Sequence, residues 1–128
     1  MTSQSPDALR RAMAEGVMGW EVLIPESSPD LICYGRWMKD GLAEFIIPQA
    51  DWHPDTDIAQ CFQYIVPRMH KGGWYLRGLS YNPYTKKWTA LFYKFTDDGD
   101  FSGEAVADTA SAVICLAAEA AWEQGVTT

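Results

Sequence analysis

Residues 57–70, DIAQCFQYIVPRMH, constrain the fold more than any other stretch, because Ile58, Cys61, Phe62, Ile65 and Met69 recur at helical spacing and share one face. Asp55 or Thr56 offers an N-cap oxygen, and Gly72 and Gly73 make a natural stop. Pro67 breaks the pattern. In a helix interior it removes one hydrogen bond and clashes with the preceding turn, at a cost of about 3 kcal/mol, so a kink or an early end is expected there.

β-rich runs flank this helix. Ahead of it, 18–24 reads as a strand, and 31–38 and 42–47 form a hairpin around Lys39, Asp40 and Gly41, since Asp-Gly between such runs is turn chemistry. Behind it, 74–81 and 87–95 are strand-like around a turn at 82–85. Their alternation is poor, which predicts a sheet that is apolar and covered on both faces. At the ends, 5–15 reads as a helix with Pro6 in its first turn. The acidic loop TDDGD leads to a short strand at 104–107, and Asp108 or Thr109 caps an Ala-rich helix reaching Trp122. The expectation is one α+β domain over 1–128, an antiparallel sheet packed with helices in an α/β/α-like sandwich of order α-β-β-β-α-β-β-α. At 128 residues it can build a core without a disulfide or metal staple.

The net charge of −7 has a single origin. Residues 1–94 carry ten basic and ten acidic side chains, whereas beyond Lys94 there is no Lys or Arg and seven acids follow: Asp97, Asp98, Asp100, Glu104, Asp108, Glu119 and Glu123. Such an end repels phosphate backbones and attracts basic partners. Nucleic acid is therefore disfavoured as a direct partner. The plain alternative is a solvated loop followed by a helix with acids near its start.

Motifs for chemistry are scarce. His53, Asp55 and Asp57 form a cluster with no recognised metal spacing, and helix capping accounts for both aspartates. His70 sits where a cation suits a helix C-terminus. Cys33, Cys61 and Cys115 are odd in number, lie 28 and 54 residues apart, and have no basic neighbours, which reads as buried free thiols. The run Asp97, Asp98, Gly99, Asp100 lacks the alternating ligands of a calcium loop. No phosphate loop, nucleophile elbow or zinc-hydrolase motif occurs. Neither an enzyme nor a cofactor is expected.

The pattern PDTDIA opening the middle helix, GGW starting the next strand, ADTASAVICLAAEAA at the end and the Gly19, Trp20 pair together resemble the phage ABA sandwich domain family of small phage and prophage proteins. The resemblance implies a helix-and-antiparallel-sheet fold with its core at about 54–123, and the helix and hairpin of 5–47 as an addition. It implies no activity. No apolar run approaches the ~18 residues that span a bilayer, and the N-terminus lacks the pattern of a signal peptide, so the expected location is the host cytoplasm, without a membrane.

Aromatics supply the remaining clue, because Trp, Tyr and Arg anchor interfaces. The hairpin residues Tyr34, Arg36 and Trp37, with the acids Asp97, Asp98, Asp100 and Glu104, are the candidate partner-binding residues. They suggest a non-enzymatic phage accessory protein that binds and inhibits a host protein, such as a nucleic-acid-binding defence complex, in the manner of an anti-CRISPR inhibitor. Two other readings stand beside it. One is a small-ligand sponge using Arg36, Arg77, Lys86 or Lys87 for phosphates, and the other is a homo-oligomeric virion or morphogenesis component.

Overall fold

The computed structural model describes residues 5–124, so the first and last four residues of the expected 1–128 domain lie outside it. Helix α1 (Pro6–Arg11) starts where the Ser5 hydroxyl accepts the Ala8 N–H at 3.1 Å, and runs on as a π-helix over Ala12–Val17. Strands β1 (Glu21–Leu23), β2 (Cys33–Trp37) and β3 (Ala43–Pro48) follow. Helix α2 begins at Ile58–Gln60, widens to a π-helix over Cys61–Ile65 and returns to α-helix over Val66–Lys71. Next come β4 (Tyr75–Asn82), β5 (Lys87–Thr96), β6 (Gly99–Ala107) and helix α3 (Ala110–Trp122).

The class is α+β, as expected, with two three-stranded antiparallel sheets of order β1-β2-β3 and β4-β5-β6. Four details differ from expectation. The strand expected over 18–24 shrinks to β1, because the end of the first helix holds the chain back: the Met18 N–H donates to Met13 O at 2.9 Å and the Trp20 N–H to Ala14 O at 2.8 Å. Asp57, rather than Asp55 or Thr56, caps α2 through a 3.0 Å bond from the Ala59 N–H. Pro67 does not end α2, which runs on to Lys71. The Val66 N–H reaches Cys61 O, five residues back, and this wider turn makes room for the proline ring just ahead of it.

The fourth difference is the length of the last strand, expected only over 104–107. The expected acidic loop is a tight turn at Asp97 and Asp98, and β6 starts at Gly99, whose φ of 135° favours glycine. Along β6, Phe101, Gly103, Ala105 and Ala107 face inward while Asp100, Ser102, Glu104 and Val106 face out. Glycine and alanine at inward positions hid this alternation.

Both sheets turn one face to a common core that the helices fill. Leu76, Leu79, Trp88, Ala90 and Phe92 face it from β4 and β5, Tyr34, Ile46 and Ile47 from the first sheet, and Met13, Val17, Ile65, Met69, Val113, Ile114 and Ala121 from the helices. Trp20, Trp52 and Tyr64 meet edge to face, with centroids 4.9 to 5.6 Å apart. Two cysteines face each other in this core: Cys61 Sγ lies 3.9 Å from Cys115 Sγ and donates to Pro54 O at 3.1 Å. The hydrogen bond with Cys61, then burial, push the Cys115 thiol well above the usual range.

At Gly103 a Cβ would lie 2.4 Å from the Ala121 nitrogen, so α3 touches β6 backbone to backbone. Gly103→Ala must push the helix off the sheet and should cost about 3 kcal/mol, read from the urea midpoint; a loss under 0.5 kcal/mol would show that the contact yields freely. The Cys115 shift carries its own sign. The folded thiol stays protonated where an unfolded one ionises, so its contribution is intact below pH about 8.5 and lost as pH rises beyond it. Urea midpoints should therefore fall more steeply above pH 8.5 in the native protein than in Cys115→Ala, and parallel profiles would remove the effect.

Candidate functional site

The acids expected to bind a partner come together on the second sheet. Along β5, Ala90, Phe92 and Lys94 are buried against the core, which leaves Leu91, Tyr93 and Phe95 on the opposite face. Register carries that face to both neighbours: Tyr93 is opposite Tyr75 on β4 and Ser102 on β6, Phe95 is opposite Asp100, and Leu91 is opposite Glu104. Phe95 is 63% exposed, Val106 58% and Tyr75 50%, so the expectation of a sheet covered on both faces is corrected here. The covering helix α3 packs on the inner face alone, because only there do Gly103, Ala105 and Ala107 admit its backbone.

Polar groups on this outer face are mutually engaged. The Tyr93 hydroxyl donates to Asp100 Oδ2 at 2.8 Å, and this bond raises the phenol pKa while nearby Arg77 opposes the rise. A register slip between Leu76 and Gly78 accompanies Arg77, whose guanidinium carbon sits 4.7 Å from the Tyr93 ring centre. Phe95 meets the same ring edge-on at 4.7 Å. Among the described residues of this face and its turn, Asp97, Asp98, Asp100 and Glu104 outnumber Arg77, and Lys87 is held by Asp108. Lys94, the last cation of the chain, points the other way: it is buried, and its ammonium donates to Gly72 O at 2.9 Å. The negative charge is thus left at the surface.

The hairpin candidates lie on the other sheet. Tyr34 is 3% exposed, packs near Trp20 and accepts a 3.3 Å hydrogen bond from Gln49, so it belongs to the core rather than to a surface. Arg36 is exposed and paired with Glu44 at 2.5 Å. Trp37 is 58% exposed. The candidates therefore form two groups, Arg36 and Trp37 on β2 and the four acids on the β5–β6 hairpin. Phe95 and Val106 were missed. Thr89, Leu91, Tyr93 and Phe95 do alternate with Ala90, Phe92 and Lys94, yet both sets contain apolar residues, and the sequence does not say which is covered.

Other clusters have structural tasks. Asp55 takes Arg10 in a two-bond ion pair, 2.6 Å from Nε and 3.3 Å from Nη2, which raises the guanidinium pKa. Thr56 approaches His53, and His70 lies against Tyr75 with ring centres 4.8 Å apart. No group of three His, Cys, Asp or Glu among the described residues could hold a metal ion. A cavity of about 580 Å³ beside α1 is walled by Arg10 and Arg11 but also by Asp7 and Asp30, a mixed charge that does not favour a phosphate. Arg36, Arg77, Lys86 and Lys87 line none of the cavities described except that Lys87 borders one of about 670 Å³ beside its partner Asp108. No helix among the described residues is long and apolar enough to cross a membrane.

Neither a family model nor a curated protein matches the chain. Among solved structures, it is similar to a phage protein from Bacillus cereus ATCC 14579, with 20% identity, a TM-score of 0.56, and coverage of 94% of this chain and 95% of that one. At that identity the likeness speaks to the fold, which the two proteins share along nearly their whole lengths.

Proposed function

We propose that this chain is a phage-encoded, non-enzymatic binding protein that docks the outer face of its second sheet on a basic surface of a host protein and blocks it, as an anti-CRISPR-like inhibitor does. One observation carries the reading: Tyr75, Phe95 and Val106 lie exposed among Asp97, Asp98, Asp100 and Glu104 on the face opposite α3. Apolar anchors inside a charged rim are the anatomy of a protein interface, and the acidic sign selects a partner whose groove is basic. A groove that normally holds nucleic acid is such a partner.

The phage assignment is supported by the shared fold with the Bacillus cereus phage protein. A non-enzymatic role is supported by the tasks already taken by the reactive side chains: Cys61 and Cys115 are buried against one another, and Asp55 is bound to Arg10. Such a protein acts in the host cytoplasm.

The test compares the native chain with Asp97→Asn/Asp98→Asn/Asp100→Asn and with Phe95→Ala as baits in bacterial lysate, followed by affinity measurement on the purified partner. The triple variant should weaken binding on the order of tenfold at low salt by slowing association, and Phe95→Ala should cost about 1–2 kcal/mol through dissociation. A partner that ignores both changes and shows no salt dependence would sink this reading.

A further inference from the structure

Two thiols meet in the core. Cys61 stands at the start of the widened turn of α2 and Cys115 within α3, and both are fully buried. Their sulfurs face each other at 3.9 Å. Cys61 Sγ donates to Pro54 O at 3.1 Å, with Ser111 O 3.5 Å away. Cys33, the third cysteine, lies on β2 of the first sheet, buried outside this cluster. The odd count of cysteines therefore resolves into one pair and one remainder.

We infer that Cys61 and Cys115 are a redox-sensitive pair, which closes to a disulfide tying α2 to α3 when the chain folds in the presence of a small-molecule disulfide oxidant. The sulfurs are already close. A disulfide holds them about 2.05 Å apart, so from 3.9 Å each moves by roughly 1 Å, within reach of rotation about the Cα–Cβ bonds. Each cysteine sits on a helix whose neighbouring Ile65 or Ile114 is fixed in the same core, so the two stay opposed. Closing the bond removes the S–H that Pro54 O accepts, and a thiol is a weak donor. Against that small loss, the bond closes a loop between residues 54 positions apart and restricts the unfolded chain. The restriction is the larger effect.

The chemistry is thiol–disulfide exchange. The thiolate of one cysteine attacks a sulfur of the oxidant, such as oxidised glutathione, forming a mixed disulfide and releasing one glutathione thiolate. The thiolate of the other cysteine then attacks the protein sulfur of that mixed disulfide and releases the second glutathione. Two electrons pass from the cysteines to the oxidant, and their two protons end on the two glutathione thiols. Burial keeps these steps out of the folded state, since Cys115 is held protonated beside Cys61 and a protonated thiol does not attack. They take place while the chain folds and both thiols are still in water, and the finished core then shields the bond from reductants. In reducing surroundings the chain folds with both as thiols. This inference is independent of the acidic face.

The test unfolds the reduced full chain in urea and refolds it with a mixture of oxidised and reduced glutathione, beside a control refolded with reductant alone. Thiols counted in denaturant should fall from three in the control to one. The intact mass should drop by two hydrogens, and an unreduced digest should link the peptides that carry Cys61 and Cys115. The bonded form should melt on the order of 10 °C above the reduced one. Cys33→Ser, outside the paired core, should leave the cross-link in place, and Cys115→Ala should abolish it. Two thiols that merely touch as small core side chains predict a count of three in both buffers, and that result would overturn the inference. So would a cross-link through Cys33, or a bonded form that melts no higher than the reduced one.

Discussion

Backbone contact between α3 and β6 is the constraint on which the arrangement rests. Gly103 lets the helix come so close that the Ala121 nitrogen occupies the place of a side chain. Ala117, Ala118 and Ala121, all buried, continue that approach along the helix. Such a contact gains dispersion energy from many atom pairs at short range rather than from a few large side chains. It also decides which face of the second sheet is covered. With α3 committed to the side of Gly103, Ala105 and Ala107, the side of Tyr93, Phe95 and Val106 is left to water or to a partner.

Larger side chains and one ion pair tie the rest to this frame. Burying a Trp such as Trp52 or Trp74 contributes roughly 3 kcal/mol, whereas an exposed pair such as Arg11 with Glu15, 3.5 Å apart, contributes about 0.5 kcal/mol or less. Packing therefore dominates, and surface pairing adds little. Arg10 with Asp55 is the exception, since the carboxylate is buried and its loss would strand a half-buried guanidinium. The same loop residue accepts the Ser111 hydroxyl at its carbonyl at 2.8 Å, and the Trp52 indole donates to Arg10 O at 2.9 Å. Helix α1, the loop before α2 and the start of α3 are thus joined at one point.

The packing of α3 on one side of the second sheet leaves the other side as an outer surface, where Phe95 and Val106 are exposed beside Asp97, Asp98, Asp100 and Glu104.

Much of the framework was legible in the residues themselves. Periodicity located α2, turn chemistry located the β2–β3 and β4–β5 hairpins, and the absence of cations after Lys94 located the charge. Those features are local, so they depend on neighbours within a few positions. The strand β6 was largely hidden because its inward residues are Gly and Ala, which read as strand formers only when a helix backbone is known to lie against them. Tyr34 looked like a surface anchor because a buried and an exposed tyrosine are the same letter. Whether Pro67 breaks α2 depended on whether the turn before it could widen, and the burial of Cys61 and Ile65 in the core accompanies that wider turn. The sequence by itself determined where helices, turns and charge lie, since these follow from local geometry and composition. Only the tertiary structure decided which side of each sheet faces water, because that depends on which surface a distant helix can approach.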